Sequence, residues 1–251
     1  MKPTNQQPDL TILIPAYHEE KRIGKTLDKL SAFLNNEKTL KDKQIEVIVV
    51  AADSTDNTHS AVLEKKDKFQ NLKLLKPGPR VGKGRDVQYG MLRAKGKAII
   101  FMDADLATPL KYITSFYAAF TRGADIVIAV RNLRRHHPSI VRTVVSNSGN
   151  ILFRLAGGVW VEDSQCGFKL FSQKAAKLCF SKLRILGWGF DMEALAIARV
   201  NKIKIQSERV DDWVSVPGGT FVNGTVKNSA ISLYELALIA GRRVKGNYRD
   251  L

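Results

Sequence analysis

The sequence predicts an α/β fold on a mostly parallel sheet, followed by an amphipathic helical tail, and three observations carry that expectation. Short apolar runs alternate with helix-length segments through the first half, an order that places helices on both faces of a sheet. The runs are rich in Ile, Val and Leu, as in Ile45-Glu46-Val47-Ile48-Val49-Val50, which marks buried strands. Pro15, Asp53, Asp103 and Arg131 all fall just past such runs, and open α/β sheets bind ligands at the carboxyl ends of their strands.

Taken in order, residues 10–15 read as a strand and 20–34 as a helix with Ile23, Leu27, Leu30 and Leu34 on one face. Residues 44–52 form a buried strand, 55–68 a polar helix, 72–75 a short strand and 83–94 a helix. Strand 98–102, helix 110–122 and strand 125–130 follow. After Arg131 the pattern changes: 131–142 is a basic loop, 144–155 is helical, and 166–171 is a strand. Helices at 173–181 and 191–200 precede a last strand at 203–210, and Gly218 and Gly219 mark a break. Residues 226–244 are helical by propensity and nearly apolar between Ala230 and Ala240, with Arg242, Arg243 and Lys245 behind them. We therefore divide the chain into a main domain over 1–220, with a loop at about 131–145, and a helical tail over 221–251.

A chain of 251 residues can bury a sizeable core, and 44% hydrophobic with 25% charged residues is ordinary for a folded domain. The charge is not ordinary: 40 Lys and Arg against 24 Asp and Glu give +16, which favours a polyanion or an anionic membrane surface as a neighbour. Two cysteines, Cys166 and Cys179, make neither a disulfide framework nor a metal site and read as reduced core thiols. Residues 1–9 are polar, so no secretory signal is expected, and no apolar run reaches the ~20 residues of a membrane span. The sequon Asn223-Gly224-Thr225 then reads as a turn.

Asp103 and Asp105 lie at a strand end, one residue apart, and so point the same way. Two hard oxygen ligands suit Mg²⁺ or Mn²⁺, with other positions left to water and substrate phosphate; in isolation the pair is weak evidence, because many such pairs are turn carboxylates in water. Pro15-Ala16-Tyr17-His18-Glu19 offers an aromatic ring to a base and a carboxylate to ribose hydroxyls, or is an ordinary strand-to-helix turn. In Arg80-Val81-Gly82-Lys83-Gly84 the glycines admit a close ligand, while Lys83 and a helix N-terminus present positive charge to a diphosphate. Arg85 and Asp86 adjoin this run. Two longer runs follow, Asp163-Ser164-Gln165-Cys166-Gly167-Phe168-Lys169-Leu170-Phe171 and Trp188-Gly189-Phe190-Asp191-Met192-Glu193.

In this order the motifs, covering residues 10 to about 215, resemble those of the family 2 glycosyltransferases. They are most similar to the polyprenyl-phosphate branch, the dolichyl-phosphate glucosyltransferases and mannose synthases. The resemblance implies a GT-A fold and an inverting, metal-dependent transfer of a hexose from a nucleotide sugar to a polyprenyl or dolichyl phosphate at the cytoplasmic membrane face. UDP-glucose is the preferred donor; GDP-mannose and UDP-N-acetylhexosamine are alternatives. It implies that Pro15, Ala16, Tyr17 and Glu19 line the nucleoside pocket, with Lys83, Asp103 and Gln165 also on the nucleotide sugar and Asp103 and Asp105 on Mg²⁺ or Mn²⁺. Asp163 would sit beside the sugar, and Arg131, where the family carries Gly-Ser-Arg, would meet the acceptor phosphate with Arg134 and Arg142, and more weakly Arg135. Asp163, Asp105 and Arg131 are then the catalytic candidates. His136 and His137 read as surface residues.

The sequence departs from the family pattern at His18, usually Asn, and at Ala51-Ala52-Asp53-Ser54, usually Asp-Asp-Gly-Ser. Asp53 is our substitute for the missing base-reading carboxylate. The apolar stretch Ala230–Ala240 spans only about 16 Å, half a hydrocarbon core, so the tail reads as an interfacial helix on anionic headgroups or as a core helix. Two further readings stay open: a family 2 enzyme with a non-lipid acceptor, and a catalytically idle basic protein that binds nucleic acid. Nucleic acid is not expected, because no recognition motif or aromatic–basic stripe is present. The sequence sets no oligomeric state.

Overall fold

A computed structural model describes residues 6–131, 153–214 and 225–249, with backbone alone at 225–229. Its strands are β1 (Leu10–Ala16), β2 (Ile45–Ala51), β3 (Leu72–Leu75), β4 (Ala98–Met102), β5 (Ile126–Arg131), β6 (Phe168–Ser172) and β7 (Ile205–Val210). They form one sheet in the order β3-β2-β1-β4-β6-β5-β7. Only β6 runs antiparallel, to β4 on one side and β5 on the other. The helices are α1 (Glu20–Asn36), α2 (Thr58–Leu63), α3 (Lys83–Met91), α4 (Tyr112–Thr121), α5 (Gln173–Lys182), α6 (Phe190–Val200) and α7 (Thr225–Val244).

Side chains alternate across each strand, so the sheet carries a core on each face. Ile12, Ile14, Val49, Ile100 and Leu170 point toward α1, α2 and α4, whose Leu27, Val62 and Phe116 meet them. Leu13, Val50, Phe101 and Phe171 point the other way, toward α3, α5, α6 and α7, and pack with Val87, Phe180, Leu195 and Ile239. Cys166 and Cys179 are free and buried, and burial pushes their thiols up to about 11 and about 12.

The polar helix expected over 55–68 is shorter than its pattern. Asp56 is engaged in loop contacts, α2 begins at Thr58 and ends at Leu63, and a single 3₁₀ turn, Lys66–Lys68, follows. Val62 is the only fully buried apolar side chain on α2, and a helix this short needs tertiary packing to persist. The strand expected at 166–171 is shifted to Phe168–Ser172 because its partners on β4 run from Met102 back to Ala98. Most of the basic loop and most of the helix expected at 144–155 lie outside the described residues, as do Gly218, Gly219 and the sequon residues Asn223 and Gly224.

Two buried acid–base arrangements brace the α6 face. Lys169 on β6 is fully buried; its Nζ donates to the Cys166 carbonyl at 2.5 Å and lies 3.0 Å from Asp191 Oδ1. Glu193, also fully buried, accepts from the Arg184 and Ile185 amides at 2.7 and 2.6 Å through Oε2. Its Oε1 accepts from Arg242 at 2.7 Å and from the Tyr248 hydroxyl at 2.8 Å, which ties the C-terminal segment to α6.

Candidate active site

The turn after β1 is bonded to the turn after β2. Asp56 accepts from the Ser54 and Thr58 hydroxyls at 2.6 and 2.7 Å and from the Glu20 amide at 3.2 Å. Burial works against its charge, but these bonds prevail and hold its pKa at about 2. The Thr58 hydroxyl, in turn, receives the Glu19 amide at 2.9 Å. His18 has φ of 56°, in the left-handed region that Asn and His tolerate better than most residues, so this departure from the family's Asn keeps the turn. Its ring stacks on Tyr17 at 4.1 Å, with the Arg80 guanidinium 4.6 Å from the Tyr17 ring centroid. Tyr17, His18, Glu19 and Asp56 line a cavity of about 540 Å³.

β4 delivers Asp103 and Asp105 beside this turn. The Asp103 amide donates to the Gly167 carbonyl at 3.2 Å, which extends the β4–β6 pairing to the site. Lys83, at the start of α3, places its Nζ 2.6 Å from Asp103 Oδ1 and 5.4 Å from the Trp188 ring. Burial opposes that charge, yet Asp103 and Asp191 outweigh it and raise the Lys83 pKa. The Asp105 pKa is raised, first by burial and also by the Asp103 charge, although the Ala107 amide hydrogen bond opposes the shift. Glu19 is raised too, by burial first, with Asp105, Asp103 and Asp56 adding to it against Arg22.

Glu19 and Asp105, with the Asp103 charge beside them, make a seat for positive charge. Among the described residues no group of three His, Cys, Asp or Glu side chains has metal-binding geometry. Asp103 and Asp105 are by their chemistry two hard oxygen donors of the kind a divalent cation takes when the rest of its ligands come from elsewhere.

The helix N-terminus expected to receive a diphosphate is already occupied. The Gly84 amide donates to the Gly187 carbonyl at 3.2 Å and the Arg85 amide to the Leu186 carbonyl at 3.1 Å. Asp86 is fully buried against Arg80, so it braces the loop from within. Of the positive charge predicted here, the Lys83 side chain is what faces Asp103.

At the end of β5, Arg131 and Asp163 are paired to each other. Arg131 Nε donates to Asp163 Oδ2 at 2.6 Å, Nη2 to Oδ1 at 3.0 Å, and the Arg131 amide to Oδ2 at 3.3 Å. The Gln165 amide adds a bond to Oδ1 at 3.2 Å. Burial alone would raise the Asp163 pKa; the Arg131 hydrogen bonds and charge reverse this and hold it below the ordinary carboxylate value. Arg131 also faces the Trp213 ring at 5.4 Å.

The structure thus gathers Tyr17, Glu19, Lys83, Asp103 and Asp105 on one side, and Arg131, Asp163 and Gln165 on the other, with Pro15 and Ala16 at the end of β1. Asp53 is exposed, its amide bonded to the Gly78 carbonyl at 3.0 Å, and it is Asp56 that lines the cavity. Arg134, Arg135, His136, His137 and Arg142 lie outside the described residues. Sequence reading passed over Asp56, Trp213 and Glu235. The Ser54-x-Asp56-x-Thr58 spacing was the available signal for the first; nothing in the local sequence marks the other two.

Residues 11–179 match the profile of Glycosyl transferase family 2. A dolichyl-phosphate beta-glucosyltransferase of Trichomonas vaginalis is 32% identical over 241 residues, which cover 91% of this chain and 73% of that protein. One of Drosophila melanogaster is 33% identical over 224 residues, covering 84% and 68%. The fold superposes on glucosyl-3-phosphoglycerate synthase from Mycobacterium tuberculosis, crystallised with Mn²⁺, UDP and glucosyl-3-phosphoglycerate. That match has a TM-score of 0.65 at 18% identity over 93% of this chain and 80% of the other. Mannosyl-3-phosphoglycerate synthase from Rubrobacter xylanophilus gives 0.66 at 14% identity, covering 97% and 77%. The sheet and its flanking helices are those of the GT-A fold.

Proposed function

Because the chain belongs to the family 2 glycosyltransferases, we propose that it transfers glucose from UDP-glucose to dolichyl phosphate or a related polyprenyl phosphate. The observation that carries this reading is the pairing of two charged groups at the carboxyl ends of the strands. Lys83–Asp103–Asp105 is suited to a cation-bound diphosphate, and Arg131–Asp163 to a sugar and a phosphate acceptor. The named activity of the relatives supports the choice of glucose and of dolichyl phosphate.

The reaction is one in-line displacement with inversion. An oxygen of the lipid phosphate bonds to the anomeric carbon as the bond from that carbon to the diphosphate oxygen breaks, and the nucleoside diphosphate leaves with the electron pair. A phosphate monoester is already anionic near neutral pH, so no proton has to be taken from it. Positioning and electrostatics then carry the rate. A divalent cation on Asp103 and Asp105, Mg²⁺ or Mn²⁺, would neutralise charge on the departing diphosphate. Tyr17 packs on the base and Glu19 accepts from the ribose. Arg131 commits its Nε and Nη2 edge to Asp163 and offers its remaining N–H groups to the acceptor phosphate.

The acceptor is a membrane lipid, and the tail is built to reach one. No helix among the described residues is long and apolar enough to cross a membrane. On α7, Leu236 and Ile239 are buried in the domain, while Ile231, Leu233, Tyr234, Ala237 and Val244 are exposed. That apolar stripe on a chain of net charge +16 fits a helix lying in the headgroup region of an anionic cytoplasmic leaflet. The helix does so while docked on the domain.

The test is transfer from radiolabelled nucleotide sugars to dolichyl phosphate in liposomes with Mg²⁺, alongside Asp105→Ala. Lipid-extractable label from UDP-glucose, lost in the variant, is the expected result. Folded, liposome-bound protein that labels no lipid with any donor would overturn the lipid acceptor; label from another donor would replace glucose.

A further inference from the structure

Glu235 lies midway along α7, and its carboxylate ends a chain of contacts that leads to Lys83. The residue is only 7% exposed, and its Oε2 accepts the Gly189 amide at 3.0 Å. A Cβ built on Gly189 would come within 2.5 Å of Oε2, and one on Gly187 within 2.8 Å of Oε1. The carboxylate is therefore pressed against both glycines of the Gly187-Trp188-Gly189 turn, at a distance no larger residue allows.

That turn holds the start of α3. Its Gly187 carbonyl and the preceding Leu186 carbonyl receive the Gly84 and Arg85 amides. These are donors that the first turn of a helix cannot satisfy internally. Contact is close here as well: a Cβ on Gly84 would lie 2.6 Å from Phe190 Cβ and 2.8 Å from the Gly187 oxygen. Trp188, at the tip of the turn, carries the ring that faces the Lys83 ammonium at 5.4 Å. Moving the turn thus moves the backbone that follows Lys83 together with the aromatic wall beside its ammonium.

We infer that Glu235 is a positioning residue for the nucleoside diphosphate, acting through the Gly187–Gly189 turn on the first turn of α3. The C-terminal helix is by this account a working part of the donor site, in addition to any role at a membrane. The inference rests on the reading of Lys83 as the diphosphate-binding cation.

Binding of UDP with Mn²⁺, measured by calorimetry on the full chain, separates the two. Lys83→Ala tests the underlying reading and should weaken UDP markedly; unchanged binding would remove that reading and the inference with it. Glu235→Leu should weaken UDP by about tenfold through loss of the turn's anchor. Glu235→Gln keeps an acceptor oxygen for the Gly189 amide and should bind within about twofold of the parent. With UDP-glucose as donor, the Leu variant should raise KM with kcat little changed, a split that general loss of folded protein would not produce. Should the Leu variant fail to fold, Glu235→Asp, which draws the carboxylate back from Gly189, is compared with Gln instead. Parent-like UDP binding in folded Leu or Asp variants, where Lys83→Ala is weak, would overturn the role of Glu235. A Gln variant as weak as Leu would also overturn it, because the bond to Gly189 would not be what matters.

Discussion

Arg131 holds Asp163 by both carboxylate oxygens, at 2.6 and 3.0 Å, so the residue expected beside the sugar and the residue expected on the acceptor phosphate form one unit. A carboxylate kept ionised by a guanidinium is a poor proton acceptor and a good fixed anion. Arg131→Lys keeps the charge but loses the planar fork. We expect transfer to fall about a hundredfold, with Asp163→Asn at least as low, in the liposome assay. Because the Asp163 pKa is lowered on folding, the pair stabilises the protein above the ordinary value of 3.8 and less as pH falls below it. Asp163→Asn should flatten that part of the acid unfolding curve.

The Lys83–Asp103 contact makes a prediction for the cation. Asp105 and Glu19 have raised pKa values in a site where Lys83 neutralises only part of the charge. A divalent cation should therefore raise Tm, by linkage to the folded state, with Mn²⁺ and Mg²⁺ both effective and EDTA reversing the gain. Asp105→Asn should abolish the shift while leaving the metal-free Tm unchanged or higher, since a raised carboxylate pKa means that its charge costs stability at neutral pH. A variant still stabilised by Mn²⁺ as the parent is would place the cation elsewhere.

Asp56 joins the first two strand-end turns. Its pKa of about 2 means that it contributes stability above 3.8, lost as pH falls from there toward 2. Asp56→Ala should cost about 1–3 kcal/mol at neutral pH, through the Ser54, Thr58 and Glu20 donors it releases, and weaken UDP through the Tyr17 turn. Asp53→Ala should leave stability nearly unchanged. Urea unfolding at pH 7 and pH 3 distinguishes the two.

Lys169 and Asp191 are each nearly or fully buried and 3.0 Å apart. Lys169→Met strands a buried carboxylate and should cost about 3–5 kcal/mol. Adding Asp191→Leu should recover much of that stability, because a packed apolar pair needs no desolvated charge, yet should not recover transfer if Asp191 also holds Lys83. Equal losses in the single and double variants would argue against a coupled pair.

Much of the sheet was legible because buried strands advertise themselves: Leu72–Leu75 and Ala98–Met102 have the bounds their apolar runs predict. Residues 55–68 misled because a polar segment carries little periodicity, and its start is fixed by Asp56 bonding to a distant turn. Asp103, Asp105, Lys83 and Asp163 were singled out from their motifs, and the structure sets Lys83 against Asp103 and Asp163 against Arg131. That Arg131 spends one edge on Asp163 was not, since a contact between residues 32 apart in sequence belongs to topology. Glu235 was still less visible: one acid on an apolar helix looks like a flaw in its amphipathic pattern until Gly189 is seen beneath it.

The reversed direction of β6 has an evolutionary consequence. Inserted between two strands that run the other way, it begins where β4 and β5 end, so residues 163–167, which lead into it, lie beside Asp103 and Arg131. Arg131 and Asp163 are therefore two points of the chain, 32 apart in sequence, that the fold pins to each other. Added length between two such pinned points costs little entropy, whereas Phe153, Val159 and Val161 are buried in the core and hold their part of that stretch in place. Variation in length there leaves the Lys83–Asp103 and Arg131–Asp163 pairs in register.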